Sequence, residues 1–249
     1  MSGKPLNRDS LKEYFKNGSR PNSDNFGSLI DSMVNKVDDR ISKNIKDGLI
    51  LCPEGKESDR VISFYKEITD AKPVWSFSLQ GDNDMSIGET DASDSKASMF
   101  FKPGGNVGVN TSTPKAQLEV EGILGYTSKV GTYKLGAIPA DGNWHDIITS
   151  LNGYSALELV AQVGKKKSGK HALLHAHALS TFGKSRSKIR KTQAYYGWWW
   201  NKIALRWRGD TFNYRLQMKT CSDYGKDQMI RFHISKLWDN DIMSIFDKL

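Results

Sequence analysis

The sequence has little cysteine and no long hydrophobic run. Cys52 and Cys221 are the only cysteines among 249 residues, and they lie far apart. This argues against a disulfide scaffold and against a zinc site built on paired cysteines. The apolar runs are far shorter than the ~20 residues that cross a bilayer as a helix, and the N-terminus lacks the apolar centre of a secretory signal. We therefore expect no membrane insertion, and a protein made in the cytoplasm without a signal peptide.

The sequence also lacks the residue combinations that catalysis needs. Glu158 lies in an apolar strand-like run, and His145 and Asp146 follow Trp144. An enzyme needs a nucleophile and a base, or a pair of carboxylates, within reach of one another, and none of these residues lies in the sequence context of a known catalytic site. We therefore predict that the protein is not an enzyme and needs no cofactor.

What the sequence does have is an uneven distribution of charge. Residues 1–125 carry 16 Lys and Arg against 19 Asp and Glu, a net charge of −3. Residues 126–249 carry 20 against 9, a net charge of +11, with six of the seven tryptophans and all five histidines. Composition therefore predicts a domain boundary near Gly125. The charge alone does not choose between an anionic glycan, a lipid headgroup, a lipopolysaccharide phosphate and a nucleic acid.

Residues 8–46 carry the spacing of amphipathic helices. Leu11, Tyr14 and Phe15 recur at helical intervals, and Asn17-Gly18 provides a stop. Helices this short need a partner for their apolar stripes. We predict a helical hairpin in residues 1–47 that attaches or trimerises the chain; a helical cap on its own chain is the alternative. The second stripe is close to heptad spacing and consists of Phe26, Leu29, Ile30, Met33, Val34 and Val37.

Five short apolar runs separated by turn residues predict strands between residues 48 and 103. A small β-domain and an intertwined trimeric shaft both fit this pattern, and we favour a shaft over residues 48–125. In the run that follows, Leu118 and Val120 share one face and Glu119 the other, and so narrow an apolar face needs partners. The five runs are 48–51, 61–65, 74–79, 85–87 and 99–101.

Residues 107–122 read Val-Gly-Val-Asn-Thr-Ser-Thr-Pro-Lys-Ala-Gln-Leu-Glu-Val-Glu-Gly. This segment resembles one that recurs in phage tail fibres and related trimeric adhesins, where it closes a fibrous shaft before a receptor-binding head or a self-cleaving chaperone. The Ser-Asp signature of that chaperone is not found here, which implies a stable, uncleaved head.

A second resemblance concerns the N-terminal segment. Its pattern is similar to that of fibre-type proteins of contractile injection systems and phage tails, in which this part faces the particle. The two resemblances imply a homotrimer bound through its N-terminal segment to a baseplate or tail protein of an extracellular particle or virion tail. The residues that carry the second one are the run 11–21, Phe26, and the runs 29–32 and 36–39.

From residue 126 onward, strand-like runs alternate with glycine-containing turns. This spacing predicts an antiparallel β-sandwich over residues 126–249, which we expect to be a receptor-binding head. A short helix or a tail is expected over residues 242–249. The strand-like runs are 133–138, 156–163, 171–179, 202–207, 212–218 and 229–235.

The most unusual composition is the run of two tyrosines, one glycine and three tryptophans at residues 195–200. In a strand, alternation would send Trp198 and Trp200 to one face and Trp199 to the other. Exposed rings stack on the apolar C–H faces of sugars, whereas buried rings supply a core or an interface, and both interpretations stay open. The ligand site that we predict, for a cell-surface glycan or other receptor, comprises Tyr195, Tyr196, Trp198, Trp199, Trp200, Arg206 and Arg208.

His175 and His177 project from one face of a strand-like run, near His171. Neutral imidazoles suit transition metals, and trimeric fibres with a His-any-His pair near the three-fold axis can supply six imidazoles to one ion. Histidines packed in a strand or hydrogen-bonded at an interface are the interpretation that we favour. We therefore predict no metal site, with His175 and His177 as the alternative.

Together these features predict a mainly β protein that is a structural and receptor-binding fibre subunit, or adhesin, of a phage tail or phage-tail-like injection particle. Two alternatives belong to other classes. One is a particle-borne enzyme that acts on surface polysaccharide. The other is nucleic-acid binding by the basic half, since bases stack on aromatic rings along a positive groove.

Overall fold

The chain folds mainly as β-strands, which confirms the predicted fold class at that level. The computed structural model describes residues 6–36, 38–53, 59–67, 69–80, 83–90, 95–164, 167 and 169–240. Within these residues it contains two short helices and sixteen strands in four sheets. Contacts divide the chain into two units, Met1–Gly125 and Tyr126–Leu249.

Two helices begin the described chain: α1, Arg8–Tyr14, and α2, Ser23–Asp31. Each is preceded by a capping asparagine whose side-chain oxygen accepts a backbone N–H three residues later, at 2.9 Å for both Asn7 and Asn22. Such capping satisfies donors that the first helical turn leaves free. The rings of Phe15 and Phe26 meet edge to face, with centroids 5.4 Å apart. The two helices are therefore in contact through an aromatic pair.

The helical prediction is wrong for the end of residues 8–46. Met33 and Val34 follow the last residue of α2, and Val37 lies outside the described residues. Strand β1, Ile41–Asn44, instead pairs antiparallel with β2, Gly48–Leu51, across the predicted boundary at residue 47. The physical reason is a tight turn in which the Asn44 side-chain oxygen accepts the Asp47 N–H at 2.6 Å and Gly48 takes a φ of +72°.

The other sheet of the first unit has six strands, in the order β3-β4-β5-β6-β7-β8. Neighbours pair antiparallel except β7 and β8, which are parallel. All five strands predicted between residues 48 and 103 are confirmed: the run 48–51 is β2, and the other four lie in this sheet with shifted ends. The strands are β3, Asp59–Phe64; β4, Trp75–Leu79; β5, Met85–Thr90; β6, Ser95–Phe101; β7, Val107–Val109; and β8, Leu118–Val120.

The glycine-rich segment of residues 107–122 forms the parallel pair at the edge of this sheet. Val107 lies opposite Leu118 and Val109 opposite Val120, so Leu118 and Val120 share a face, as predicted. A Cβ on Gly108 would lie 2.1 Å from the backbone oxygen of Thr111. Only glycine therefore fits at position 108, where the backbone that follows β7 turns back close to this strand.

The second unit contains a five-stranded sheet, β13-β12-β11-β16-β9, and a three-stranded sheet, β10-β15-β14. Every strand pair in them is antiparallel. β10 and β13 are strands that the sequence analysis did not predict. The strands are β9, Lys134–Pro139; β10, His145–Leu151; β11, Ser155–Gly164; β12, His171–Ser180; β13, Lys188–Tyr196; β14, Ile203–Asp210; β15, Asn213–Thr220; and β16, Met229–Trp238.

The hydrophobic core of the described residues lies entirely in the second unit. Leu159 and Leu174 of the five-stranded sheet and Leu216 and Met218 of the three-stranded sheet are fully buried members of one cluster. Among the described residues, every buried hydrophobic side chain lies between Ile138 and Ile234. The described part of the first unit therefore buries no large apolar side chain of its own. Residues 242–249, for which a helix or tail was predicted, lie outside the described residues.

Candidate functional site

The three tryptophans lie in a turn and not in a strand. β13 ends at Tyr196, and Gly197 takes a φ of +90°. The Asn201 N–H then donates to the Trp198 carbonyl at 2.9 Å, which closes the turn. The predicted strand alternation of the tryptophans is therefore wrong, because the strand stops two residues before the first of them.

Residues 198–200, which we call the tryptophan turn, carry an exposed aromatic cluster. Trp198 and Trp200 are stacked with centroids 5.0 Å apart and planes within 2° of parallel. Trp199 meets Trp200 edge to face at 5.6 Å. Trp198 and Trp199 are 66% and 68% exposed, against 38% for Trp200. Trp200 is thus the base of the cluster, and the other two rings do not fill a core of the single chain; packing in an interface stays open.

A buried asparagine holds the tryptophan turn in place. Asn201 is fully buried; its Nδ2 donates to the Tyr196 carbonyl at 3.1 Å, and its Oδ1 accepts the Ser222 hydroxyl at 3.1 Å. A buried amide without partners would be costly, so these bonds fix the side chain and the turn together. Sequence reasoning missed Asn201, although a small polar residue directly after an aromatic run is a signal that such a turn needs an internal anchor.

Gly197 completes this local arrangement. A Cβ at this position would lie 2.6 Å from the Gly169 carbonyl oxygen and 2.7 Å from Asn201 Nδ2. The positive φ and the close backbone approach both demand glycine. The turn is therefore set by residues on both of its sides, which leaves the tryptophan rings free to face solvent.

The two predicted tyrosines precede the turn on opposite faces of β13 and are both exposed. The Lys202 ammonium lies 4.7 Å from the centre of the Tyr195 ring. Tyr196 shares its face with His171, whose ring centroid is 6.3 Å away. Tyr195 and Lys202 thus place one aromatic face and one positive charge beside the tryptophan turn.

Arg206, a predicted ligand-site residue, packs against a different tryptophan, Trp144. Its guanidinium lies 4.1 Å from the centre of the Trp144 ring, and its Nε donates to the Gln217 side chain at 2.8 Å. Lys219 lies 5.1 Å from the same ring, so two cations flank Trp144. Partial desolvation, and then the charge of Arg208, lower the pKa of Arg206. Arg206 and Arg208, two residues apart on one face of β14, therefore form a cationic surface on β14, in which Arg206 contacts Trp144.

One face of the six-stranded sheet is apolar, and we call it the apolar sheet face. Residues opposite each other in register share a face. Of the described side chains in the two rows that form this face, none is buried, and exposure reaches 59% at Leu118. Two rows cross all or most of the strands: Leu79, Met85, Phe101, Val107 and Leu118, and then Ile62, Phe77, Ile87, Met99, Val109 and Val120.

The predicted histidines lie on the outward face of β12. His175 and His177 alternate with the buried Leu174, Ala176 and Ala178, so both rings point away from the core. His175 Nε2 is 3.1 Å from Glu158 Oε1 on the neighbouring strand β11. The sequence analysis treated Glu158 and these histidines separately, and the strand pairing brings them together.

Neither α1 nor α2, the helices of the described residues, is long and apolar enough to cross a membrane. No protein-family model matches this chain, and no curated protein matches its sequence, so the resemblance to tail fibres stays a prediction.

Proposed function

We propose that this chain is a structural and receptor-binding fibre subunit of a phage tail or phage-tail-like injection particle, and that it works as a homotrimer. The observation that carries the proposal is the apolar sheet face. A unit that exposes two rows of large apolar side chains and buries none has no core of its own among the described residues. Further copies of the chain supply one when these faces pack together.

The energetic gain from such packing is large. Fully removing a Leu, Ile, Phe or Met side chain from water contributes roughly 1.5–3 kcal/mol. In the single chain every side chain of the two rows is 38% exposed or less, except Leu118 at 59%. Covering what remains exposed contributes roughly 5–10 kcal/mol per chain, which is comparable to the whole stability of a typical domain. The first unit therefore gains most of its stability by association.

The choice of three copies rests on the resemblance of residues 107–122 to trimeric fibres. In this proposal residues 48–125 form the shaft, and the parallel pair of β7 and β8 closes it. The helices of residues 1–47 expose Phe26 and Ile30, which supports a docking surface for a baseplate or tail protein. The particle carries the chain to the outside of the cell.

Residues 126–249 form the head of this fibre. Their two sheets share one core, which supports a β-sandwich that is stable without the shaft. The tryptophan turn is the ligand site, because it offers two exposed ring faces on a rigid support. Sugar C–H groups stack on Trp198 and Trp199, and Lys202 attracts acidic sugars. Little ordering cost is paid on binding, since Asn201 and Gly197 already fix the turn.

The ligand part of the proposal is tested with the full-length protein on an array of cell-surface glycans. If the original protein captures a glycan, Trp199→Ala should weaken its binding by at least about tenfold, as expected for an exposed aromatic anchor. Trp238→Ala is the matched control, because Trp238 is exposed on β16 and outside the turn. Binding that survives Trp198→Ala and Trp199→Ala but is lost in Trp144→Ala would move the site to the cationic surface on β14.

The salt dependence of binding by the same full-length protein distinguishes a nucleic-acid ligand from a glycan. A single-stranded oligonucleotide bound through the basic half should lose affinity steeply as salt increases, because phosphate contacts release counterions. A neutral sugar stacked on the tryptophan turn should bind almost independently of salt. Steep salt dependence with an oligonucleotide, and no glycan captured, would contradict the receptor-binding proposal.

A further inference from the structure

We propose that Glu158, His175 and His177 form a binding site for one divalent transition-metal ion, such as Zn²⁺, with all three ligands from a single chain. The strand register builds the site. β11 and β12 pair antiparallel, with Glu158 directly opposite His177 and Val160 opposite His175. Because residues two apart on a strand share a face, both imidazoles stand beside the carboxylate on the outward surface.

The distances are close to those of a metal site. One ligand atom from each of the three residues lies within 4.8 Å of the other two. His175 Nε2 and Glu158 Oε1 are already 3.1 Å apart, and the two imidazole rings are 5.1 Å apart and nearly perpendicular. Ligands about 2.1 Å from a tetrahedral zinc ion are ~3.4 Å apart. Small side-chain rotations therefore bring the three donors to bonding positions without movement of the strands.

The donor set decides the class of ion. Two imidazoles and one carboxylate suit Zn²⁺, Co²⁺, Ni²⁺ or Fe²⁺, whereas Ca²⁺ and Mg²⁺ prefer oxygen ligands. Three protein ligands on an exposed sheet leave at least one coordination position for water or for a ligand group. An ion here would therefore keep an open position.

A neighbouring cation positions the carboxylate. Lys129 Nζ pairs with Glu158 Oε2, which leaves Oε1 directed at His175. Such an outer partner orients a metal-binding carboxylate, while its positive charge lowers the affinity for a cation. Arg190, which lies opposite His177 on β13, places a positive charge on the other side of the site and limits the affinity. We expect a micromolar site and not a permanently occupied one.

This arrangement differs from a site of six imidazoles on a three-fold axis. The carboxylate comes from the same chain as the histidines, so the ligand set is complete without a second copy. The two arrangements differ in stoichiometry: one ion per chain here, against one ion per three chains there. They also differ in their dependence on Glu158, and neither difference requires the fibre proposal to be correct.

The experiment is a calorimetric titration of the untagged full-length protein with ZnCl₂, repeated with CoCl₂ to record the absorption spectrum of the bound ion. We expect one ion per chain. His177→Ala and Glu158→Gln should each weaken binding by at least about tenfold, in line with the loss expected when a metal site is disturbed. His145→Ala is the matched control, because His145 lies on β10, in the three-stranded sheet, and pairs with Asp141. It should bind as the original protein does.

Circular dichroism of each variant confirms that it is folded, which is expected because Glu158 and both histidines lie on the sheet surface. Absence of binding by the original protein would overturn the proposal. So would one ion per three chains that Glu158→Gln leaves unaffected, or equal binding by all the variants.

Discussion

Replacing Asn201 with alanine should release the tryptophan turn and destabilise the second unit. The substitution removes two buried hydrogen bonds, to the Tyr196 carbonyl and from the Ser222 hydroxyl, each 3.1 Å long. Each neutral bond contributes about 1 kcal/mol, and the groups left without partners add to the loss. With the small cavity that remains, we expect a decrease of about 2–4 kcal/mol in the free energy of unfolding.

Two measurements follow this change. Urea unfolding, monitored by far-ultraviolet circular dichroism, gives the loss of stability of the variant. Near-ultraviolet circular dichroism reports the stacking of Trp198 on Trp200, which depends on a rigid turn. Ser222→Ala is the matched control: it removes one of the two bonds, so it should cost about 1 kcal/mol and leave the tryptophan signal largely unchanged.

The result also connects structure to binding. If the tryptophan turn holds the glycan, Asn201→Ala should weaken binding as Trp199→Ala does, although Asn201 itself is buried and reaches no ligand. An Asn201→Ala variant with unchanged stability, within about 0.5 kcal/mol, and an unchanged near-ultraviolet spectrum would refute the role of this asparagine as the anchor of the turn.

Three further predictions concern single side chains. Burial raises the pKa of Tyr224 to about 12, and its hydroxyl has no hydrogen-bond partner within the described structure. The unfolded chain therefore loses this proton first, and stability should fall between pH 10 and 12; denaturation at each pH should show a smaller fall for Tyr224→Phe. The pKa of Asp141 is lowered to about 2, mainly by its hydrogen bond with His145. The stability that the ionised carboxylate contributes is present above pH ~4 and is lost as the pH falls towards 2. Over that range the melting temperature of Asp141→Asn should therefore fall less than that of the original protein. Gly108→Ala would place a Cβ 2.1 Å from the Thr111 carbonyl oxygen and should cost about 1–3 kcal/mol in urea unfolding, and an unchanged midpoint would contradict this description of the corner.

Much of the strand content was predictable because it depends on short local sequence patterns. Alternation over residues 74–79 and 85–87, and the glycines of residues 104–108, specify strands and turns with little help from the rest of the chain. The same holds for Leu118 and Val120, whose common face follows from a period of two. The whole apolar sheet face was not predictable, because it appears only when six strands are placed in register.

The errors arise where distant pairing decides the outcome. Residues 41–44 fit a helical spacing, but the turn before Gly48 makes them the first strand of a hairpin. β13 carries three positive charges and few aliphatic residues, and it becomes a strand by pairing with β12 along its whole length.

Two candidate sites were hidden for the same reason. Glu158 and His177 are 19 positions apart in the sequence, and only the register of β11 with β12 joins them. Arg206 was grouped with the three tryptophans because it follows them closely, whereas the fold packs it on Trp144.

The most direct test of the fibre proposal is the mass of the full-length protein in solution, measured by light scattering. We predict three times the 28.0 kDa of one chain, and we predict that Ile87→Glu, in the middle of the apolar sheet face, releases single chains. A mass of 28.0 kDa for the original protein would contradict the proposal, because the apolar sheet face would then stay exposed to water in the stable form of the molecule.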